Sequence, residues 1–164
     1  MLAVARAVRA LADAHPDTVF VWAYHPNPAV RELVEPELAG HSGIVAVPAL
    51  PYHPFLAVLA RSCLTITDSG GVQEAGPALD VPVLVTREVT ERPEGVAAGC
   101  AALVGTTQPI IFAAAHRLLS DEPARLAMAR IGCPYGDGRS GQRAAAALAW
   151  LVAGSDRPAP YQAN

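Results

Sequence analysis

Short apolar runs alternate along this chain with stretches of helical period. Each run is four to seven residues long and almost continuously apolar, as parallel strands buried on both faces are. The five runs are 18–24, 43–47, 63–67, 82–85 and 101–104. No hairpin turn joins neighbouring runs, so crossover connections are expected between the strands. The pattern predicts an α/β fold, a Rossmann-like parallel sheet with helices on both faces.

The intervals between the runs, and the chain after the last run, repeat apolar residues at helical spacing. The predicted helices cover 2–14, 29–38, 54–61, 72–79, 109–120, 122–131 and 140–152. A chain of 164 residues is long enough for one ordinary domain. We predict that residues 1–153 form this domain and that the polar, proline-containing residues 154–164 form a tail.

The first predicted element is a helix, whereas doubly wound domains normally open with a strand. We therefore expect the first strand of the domain to be missing from this chain. A sheet without that strand should present an unpaired edge, and such an edge is prone to association or aggregation.

Arginine supplies all 12 basic side chains, and the sequence contains no lysine. This excludes a P-loop lysine, a Schiff-base mechanism and a lysine general base. The net charge is −3, whereas proteins that bind DNA, RNA or anionic lipid usually carry a basic surface. We predict no nucleic-acid partner.

Cys63, Cys100 and Cys133 are more than 30 positions apart, and no C-x-x-C pair occurs. This spacing predicts neither a metal site nor a disulfide, and it is typical of reduced thiols in the cytoplasm. No apolar run reaches the roughly 18 residues of a membrane span, and the N-terminus lacks a signal-peptide cleavage pattern. We predict a cytoplasmic protein without a membrane partner.

Asp68-Ser69-Gly70-Gly71 stands directly between the third predicted strand and a helix. Ligands of parallel sheets bind beyond the carboxyl ends of the strands. A helix N-terminus offers free N–H groups and the positive end of a dipole, and glycines let a phosphate approach the backbone. The alternative is that Asp68 or Ser69 caps the helix and the glycines form a tight turn.

Three further groups follow predicted strands. His25, after the first strand, can donate to a phosphate, but His-Pro-Asn-Pro is also a good turn and helix start. Arg87 and Arg92 follow the fourth strand, where arginine suits a diphosphate or a carboxylate and is also common in solvated loops. Phe55 follows the second strand, where it could stack on a base or enter the core from a proline-rich helix start.

Six segments, taken together, carry a resemblance to one family. They are His25-Pro-Asn-Pro-Ala-Val-Arg31, Pro51-Tyr-His-Pro-Phe55, Thr67-Asp-Ser-Gly-Gly-Val-Gln-Glu74, Thr90-Glu-Arg-Pro-Glu94, Leu103-Val-Gly105 and Pro134-Tyr-Gly-Asp-Gly138. In order and spacing they resemble the non-hydrolysing UDP-N-acetylglucosamine 2-epimerases, over about residues 1–150.

The resemblance implies that this chain is the C-terminal domain of a GT-B type fold, whose active site lies between two Rossmann-like halves. It implies interconversion of UDP-GlcNAc and UDP-ManNAc by elimination and re-addition of UDP, without a metal or a nicotinamide cofactor. The implied partners are UDP-GlcNAc or UDP, an N-terminal domain or subunit, and a second copy of the chain in a homodimer.

By motif match, the resemblance also implies a set of substrate-binding residues. They are His25, Phe55, Ser69, Gly70, Gly71, Glu74 and Arg92. Residues 69–71 would hold the diphosphate, and Phe55 with the backbone before it would face uracil. Arg92 would reach the same nucleotide sugar, and His25 would line the cleft. No catalytic residue is predicted in this chain.

The chain departs from the family pattern at Ala75. The family usually has a second glutamate here, which grips the ribose hydroxyls, whereas this chain reads Gln73-Glu74-Ala75. Successive helical residues point about 100° apart, so we do not expect Glu74 to take over that contact. Loss of the charged acceptor should weaken ribose binding by about 1.5–3 kcal/mol, or ten- to a hundredfold.

The resemblance leaves the N-terminal half of the family, with its acidic residues, outside this chain. We therefore expect the isolated chain not to epimerise. One alternative is a non-catalytic nucleotide-sugar-binding module that acts with a separately encoded N-terminal partner. A GT-B glycosyltransferase half and a structural remnant that binds nothing are the others.

Overall fold

The computed structural model describes residues 1–160, and within them lie eight helices and five strands. In chain order these are α1 (Leu2–Ala14), β1 (Phe20–Ala23), α2 (Pro28–Leu38), β2 (Ile44–Val47), α3 (Tyr52–Leu59), β3 (Thr65–Thr67), α4 (Gly70–Ala78), β4 (Val83–Val85), α5 (Pro93–Ala98), β5 (Ala101–Leu103), α6 (Gln108–Ser120), α7 (Glu122–Ala129) and α8 (Ser140–Ala153). The predicted α/β fold is confirmed.

The strands form two parallel part-sheets. Strands β1 and β2 pair with Phe20 opposite Ile44, and the second part-sheet has the order β3-β4-β5. All three residues of the central strand β4, Val83–Val85, are buried. A continuous apolar run is typical of a strand that is covered on both faces. The predicted strand positions are therefore correct, and the pairings are all parallel.

Helix α5 is an element that the sequence pattern did not predict. It has six residues, which is too short to display a helical period, and Gly95 lies in its middle. Pro93 occupies its first turn, and Gly99 ends it with a φ of 90° in the left-handed region.

Helix α1 packs across both part-sheets. Val4, Ala7 and Leu11 of α1 join one buried cluster with α6 and with Leu84 of β4. Other residues of α1 join a second cluster with α2. Phe20, Trp22 and Ile66 pack against both clusters, so the apolar face of α1 covers β1 and β3 together.

Polar contacts also attach α1 to α2. Arg6 Nε donates to Glu37 Oε1 at 3.1 Å, and Arg9 Nη1 donates to the Ala39 carbonyl oxygen at 3.1 Å. Because Arg6 is half exposed and Arg9 is only partly buried, solvent weakens these bonds and they add little to the free energy of unfolding. The buried aliphatic side chains, each stabilising by about 1.5–3 kcal/mol, supply most of the attachment.

Within residues 1–160, β1 and β3 are not hydrogen-bonded to each other. A cavity of about 770 Å³ lies between them, lined also by residues of α1 and α3, and we call it the inter-sheet slot. The predicted unpaired edge is therefore present, and it faces the slot. Association through it stays a prediction.

The predicted tail starts where α8 ends, at Gly154, which has a φ of 66°. Residues 161–164 of that tail lie outside the described residues. The division at residue 153 stays a prediction. Among residues 1–160, no helix is both long enough and apolar enough to cross a bilayer.

Gly76→Ala is expected to destabilise the protein by about 1–3 kcal/mol, because cores tolerate extra methyl groups poorly. A Cβ at Gly76 would overlap the buried Val83 side chain and lie 3.1 Å from the Val81 carbonyl oxygen. The measurement is urea unfolding followed by circular dichroism. Gly141→Ala in α8 is the control: its added methyl meets no atom within 4 Å, and it should not lower the stability. Equal stability of the two variants would contradict the packing described here.

Candidate functional site

The junction between β3 and α4 presents free backbone amides. Strand β3 ends at Thr67, α4 begins at Gly70, and Ser69 takes the N-cap position with an extended backbone. The Ser69 side chain makes no capping bond, and its backbone N–H donates to Thr67 Oγ1 at 3.0 Å. The first amides of α4, including those of Gly70 and Gly71, have no acceptor inside the helix and lie at the positive end of its dipole. They are donors suited to an anion.

Glu91 lies against this junction. A Cβ at residue 70 would lie 2.5 Å from Glu91 Oε1, so glycine at this position leaves room for the carboxylate. Glu91 forms an ion pair with Arg87. A hydrogen bond from its own backbone amide, and then the charges of Arg87 and Arg92, lower the pKa of Glu91. Its carboxylate therefore stays ionised at neutral pH, beside the N-terminus of α4.

Glu74 and Arg92, both predicted as site residues, contact each other. Arg92 Nε donates to Glu74 Oε1, and this bond together with the charge of Glu74 raises the pKa of Arg92. Both side chains are about two-fifths exposed, 44% for Glu74 and 36% for Arg92, so solvent screens the pair. Because a screened pair is weak, an anion with higher charge can compete with Glu74 for the guanidinium.

Gln73 connects α4 to the loop that precedes α5. Its side chain is fully buried, and its Oε1 accepts from Thr90 Oγ1 at 2.5 Å. Thr90 Oγ1 in turn accepts from the Arg92 backbone N–H at 3.0 Å. The Gln73 Nε2 is buried and has no hydrogen-bond partner among residues 1–160. This chain of bonds fixes the backbone of Arg92 next to α4.

The loop between α7 and α8 lies beside the same group. The Tyr135 hydroxyl packs against Gly95 of α5, and burial raises the pKa of this phenol. Asp137 accepts two hydrogen bonds from Arg143 of α8, at 2.7 and 2.6 Å, and these bonds lower the pKa of Asp137 far below its usual range. The loop is therefore anchored at both ends, to α5 and to α8.

The structure brings five of the seven predicted residues to one edge of the sheet. Residues 69–71, Glu74 and Arg92 meet there because β3 and β4 are adjacent and parallel, which places their carboxyl ends side by side. Among residues 1–160, no hydrogen bond or ion pair joins His25 or Phe55 to this group. His25 Nδ1 accepts from the Asn27 backbone N–H at 3.1 Å within its own turn, and Phe55 of α3 lines the inter-sheet slot.

Sequence reasoning gave no role to Gln73, Glu91 or Tyr135. For Gln73 a signal existed, since Gly76 and Pro77 lie three and four positions later and are buried with it on one face of α4. For Glu91 and Tyr135 no spacing rule applies, because their neighbours come from the packing of separate loops.

Taken together, this edge can bind a polyanion of limited size. It offers helix amides without a side-chain cap, the hydroxyl of Ser69, and the guanidinium groups of Arg87 and Arg92. Each arginine is paired with a glutamate, so bound phosphate would displace or share those carboxylates. No group of three metal-ligating side chains occurs in the part of the chain that the structure describes.

The sequence of this chain is similar to those of known proteins. Residues 1–149 match the family model described as UDP-N-acetylglucosamine 2-epimerase. The chain is 43% identical over 145 residues to the UDP-N-acetylglucosamine 2-epimerase of Yersinia pestis, and 41% identical over the same length to that of Escherichia coli K12. Each alignment covers 88% of this chain and 39% of the relative. The chain thus spans about two-fifths of the length of these curated relatives.

Solved structures of related proteins are similar to the fold of this chain. The Staphylococcus aureus MnaA–UDP co-structure is similar with a TM-score of 0.94 and 36% identity, covering 99% of this chain and 45% of that one. The Neisseria meningitidis UDP-GlcNAc 2-epimerase bound to UDP-GlcNAc has a TM-score of 0.80 and 34% identity, covering 89% and 40%.

Thr90→Val should destabilise the protein by about 1–3 kcal/mol, because it leaves the buried Gln73 carboxamide and the Arg92 amide without their partner. Urea unfolding measures the change, and amide exchange at Arg92 should become faster. Thr107→Val is the matched control, since Thr107 caps α6 without a side-chain hydrogen bond. Indistinguishable unfolding of the two variants would show that the Gln73–Thr90–Arg92 connection does not hold the loop.

Proposed function

Because the chain belongs to the UDP-N-acetylglucosamine 2-epimerase family, we propose that it supplies the UDP-binding part of a protein that interconverts UDP-GlcNAc and UDP-ManNAc. The observation that carries the proposal is the uncapped N-terminus of α4, with Gly70 and Gly71 in its first turn and Arg92 beside it. Backbone amides and a fork-shaped guanidinium are the donors that a diphosphate prefers.

In this proposal the diphosphate of UDP binds residues 69–71 and Arg92. The reaction removes the proton from C2 of the sugar and breaks the bond between C1 and the UDP oxygen, which gives a 2-acetamidoglucal and UDP. Re-addition of UDP at C1, with protonation of C2 on the opposite face, gives the epimer. Negative charge grows on the leaving phosphate as the C1–O bond breaks, so donors already in place at that phosphate lower the barrier.

Binding of the diphosphate requires a change of partners at the sheet edge. The Glu91 carboxylate lies beside Gly70, where it would repel a phosphate, and Glu74 holds Arg92. We propose that the diphosphate of UDP replaces Glu74 as the ion-pair partner of the Arg92 guanidinium. Glu91 moves away from the helix N-terminus and keeps its ion pair with Arg87. Both changes involve side chains that are at least one-third exposed, so solvent screens the ion pairs that change and the free-energy cost is small.

The uridine and sugar contacts are a second part of the proposal. Phe55 and the backbone before it would face uracil, and His25 would line the cleft on the sugar side. Both residues follow strands of the first part-sheet, as the diphosphate residues follow strands of the second. The groups that move the C2 proton, and the domain or subunit that closes the cleft, are proposed to belong to the portion of the family protein outside residues 1–160. The expectation that the isolated chain does not epimerise stays a prediction.

Isothermal calorimetry with UDP tests the proposal. The wild-type chain should bind UDP in a 1:1 complex, and Arg92→Gln should weaken binding about tenfold to a hundredfold, the value of a charged hydrogen bond. Arg6→Gln is the control, because Arg6 also bridges two elements through a glutamate but lies on α1. Absence of UDP binding by the wild-type chain, or an equal loss of UDP affinity in the two variants, would contradict the proposed diphosphate site.

Ala75→Glu should increase the affinity for UDP about tenfold to a hundredfold, since it restores the charged acceptor for the ribose hydroxyls. The gain should vanish with 2′,3′-dideoxy-UDP, which has no ribose hydroxyls to bind. Ala78→Glu adds the same charge to an exposed position of the same helix and should not improve binding. An equal gain from Ala78→Glu, or a gain that survives in the dideoxy nucleotide, would count against a ribose contact at residue 75.

A further inference from the structure

Two histidine side chains meet at the surface where α1 and α6 pack against each other. His15 Nε2 and His116 Nδ1 are 2.9 Å apart, although 101 positions separate the two residues in the chain. The ring centroids are 4.9 Å apart, and the ring planes are inclined at 52°. One nitrogen carries the proton that the other accepts. Without that proton, two nitrogen lone pairs are available at the same place.

The fold holds both rings in position. His15 is the C-cap residue of α1, and its backbone amide donates to the Leu11 carbonyl oxygen at 2.9 Å. His116 lies in α6 and stacks on Phe112, one turn earlier, with ring centroids 5.4 Å apart and ring planes 9° from parallel. Leu11 and Phe112 both pack in the apolar cluster that joins α1 to α6. The core therefore brings the two imidazoles together, in addition to their own hydrogen bond.

The surroundings of the pair suit a metal ion that prefers nitrogen ligands. Within residues 1–160, no hydrogen bond or ion pair joins either ring to a carboxylate. Burial, and then the charge of His116, lower the pKa of His15, so this ring is neutral at pH 7. Neutral imidazole is the form that binds metals. Mg²⁺ and Ca²⁺ prefer oxygen ligands and gain nothing from the two rings.

The separation of the two nitrogens favours one coordination geometry. Bonds between a metal and an imidazole nitrogen are about 2.0–2.1 Å long. Two such bonds at a right angle place their nitrogens about 2.9 Å apart, whereas the tetrahedral angle typical of Zn²⁺ sites requires about 3.3 Å. The observed distance of 2.9 Å thus matches adjacent positions of a tetragonal complex. Cu²⁺ and Ni²⁺ are the ions that adopt this geometry with nitrogen and oxygen ligands.

We propose that His15 and His116 form a two-histidine chelate for a divalent cation of the nickel and copper class. The metal replaces the proton that the two rings share, and that proton passes to water. Small rotations of the rings then direct both lone pairs to the metal. Because no third ligating side chain joins the pair within residues 1–160, water completes the coordination. His116 is exposed, so water reaches the metal.

A metal bound here would connect two helices. His15 ends α1, and His116 lies in the middle of α6. These helices share the apolar cluster that contains Leu11 and Ala115, both fully buried. A ligand that binds only the folded arrangement stabilises it. The chelate should therefore stabilise the packing of α1 on α6, independently of UDP.

Isothermal calorimetry of the full chain with Ni²⁺, at about pH 7.5 where imidazole is neutral, tests the proposal. Ni²⁺ is the probe because Cu²⁺ oxidises thiols, and Cys63 and Cys133 are exposed. We expect 1:1 binding to the wild-type chain. His15→Gln and His116→Gln should each weaken it about tenfold or more, since loss of either ligand removes the chelate. Mg²⁺ should not bind at these residues.

His53→Gln is the matched control. His53 is exposed on α3, and its ring contacts Tyr52 rather than a second histidine. This variant should change the affinity for Ni²⁺ less than twofold. Absence of saturable Ni²⁺ binding by the wild-type chain would overturn the proposal. So would equal affinities of the His116→Gln and His53→Gln variants, because the His15–His116 pair would then be a hydrogen bond and not a metal site.

Urea unfolding gives a second readout. Ni²⁺ at 100 times its Kd should raise the folding equilibrium constant of the wild-type chain about hundredfold. His53→Gln should keep this increase, and His116→Gln should lose most of it. The two variants contain the same number of histidines, so binding of Ni²⁺ to the unfolded chain affects them equally. An equal increase in both variants would contradict a chelate between α1 and α6.

Discussion

The packing of α1 across the two part-sheets holds this structure together. Because β1 and β3 share no hydrogen bonds, the sheet by itself does not connect the first half of the chain to the second. The apolar face of α1 makes that connection by burying Val4, Ala7 and Leu11 against α6 and β4, and Val8 against α2. The architecture therefore depends on one helix–sheet interface, and the hydrophobic effect, rather than a continuous ladder, aligns the strands.

The candidate site depends on a different constraint, the adjacency of β3 and β4. Parallel pairing of these strands places the start of α4 next to the loop before α5, and glycine at residue 70 lets Glu91 approach. The buried Gln73 then fixes that loop through Thr90. The arrangement keeps the helix amides free of a side-chain cap while the neighbouring charges neutralise one another.

Much of this could be predicted from the sequence. Each predicted strand overlaps an observed one. A continuous apolar run of four to seven residues between turn residues is typical of a buried strand and is too short for most helices. The location of residues 69–71 beside Arg92 followed from the rule that strand ends share one edge. Pairing rules also anticipated an unpaired strand edge.

The remaining features depend on tertiary contacts that no spacing encodes. Helix α5 was missed because it is shorter than two turns, and the Glu74–Arg92 pair forms only once α4 and the following loop pack together. The inter-sheet slot was missed as well, since the sequence gives the order of strands in the chain but not the order of strands in the sheet. Phe55 is an example. Its position after β2 could be read from the sequence, whereas its contact with the inter-sheet slot depends on how α3 packs against the sheet.

Binding of the diphosphate of UDP at the N-terminus of α4 can be observed directly by titrating the ¹⁵N-labelled chain with UDP and recording NMR spectra. We expect the amide resonances of Gly70 and Gly71 and the Nε–H resonance of Arg92 to shift most and to saturate together, whereas uridine alone should leave them unmoved. If UDP shifts these resonances no more than uridine does, or if its largest effects lie elsewhere in the chain, the proposed diphosphate site is wrong.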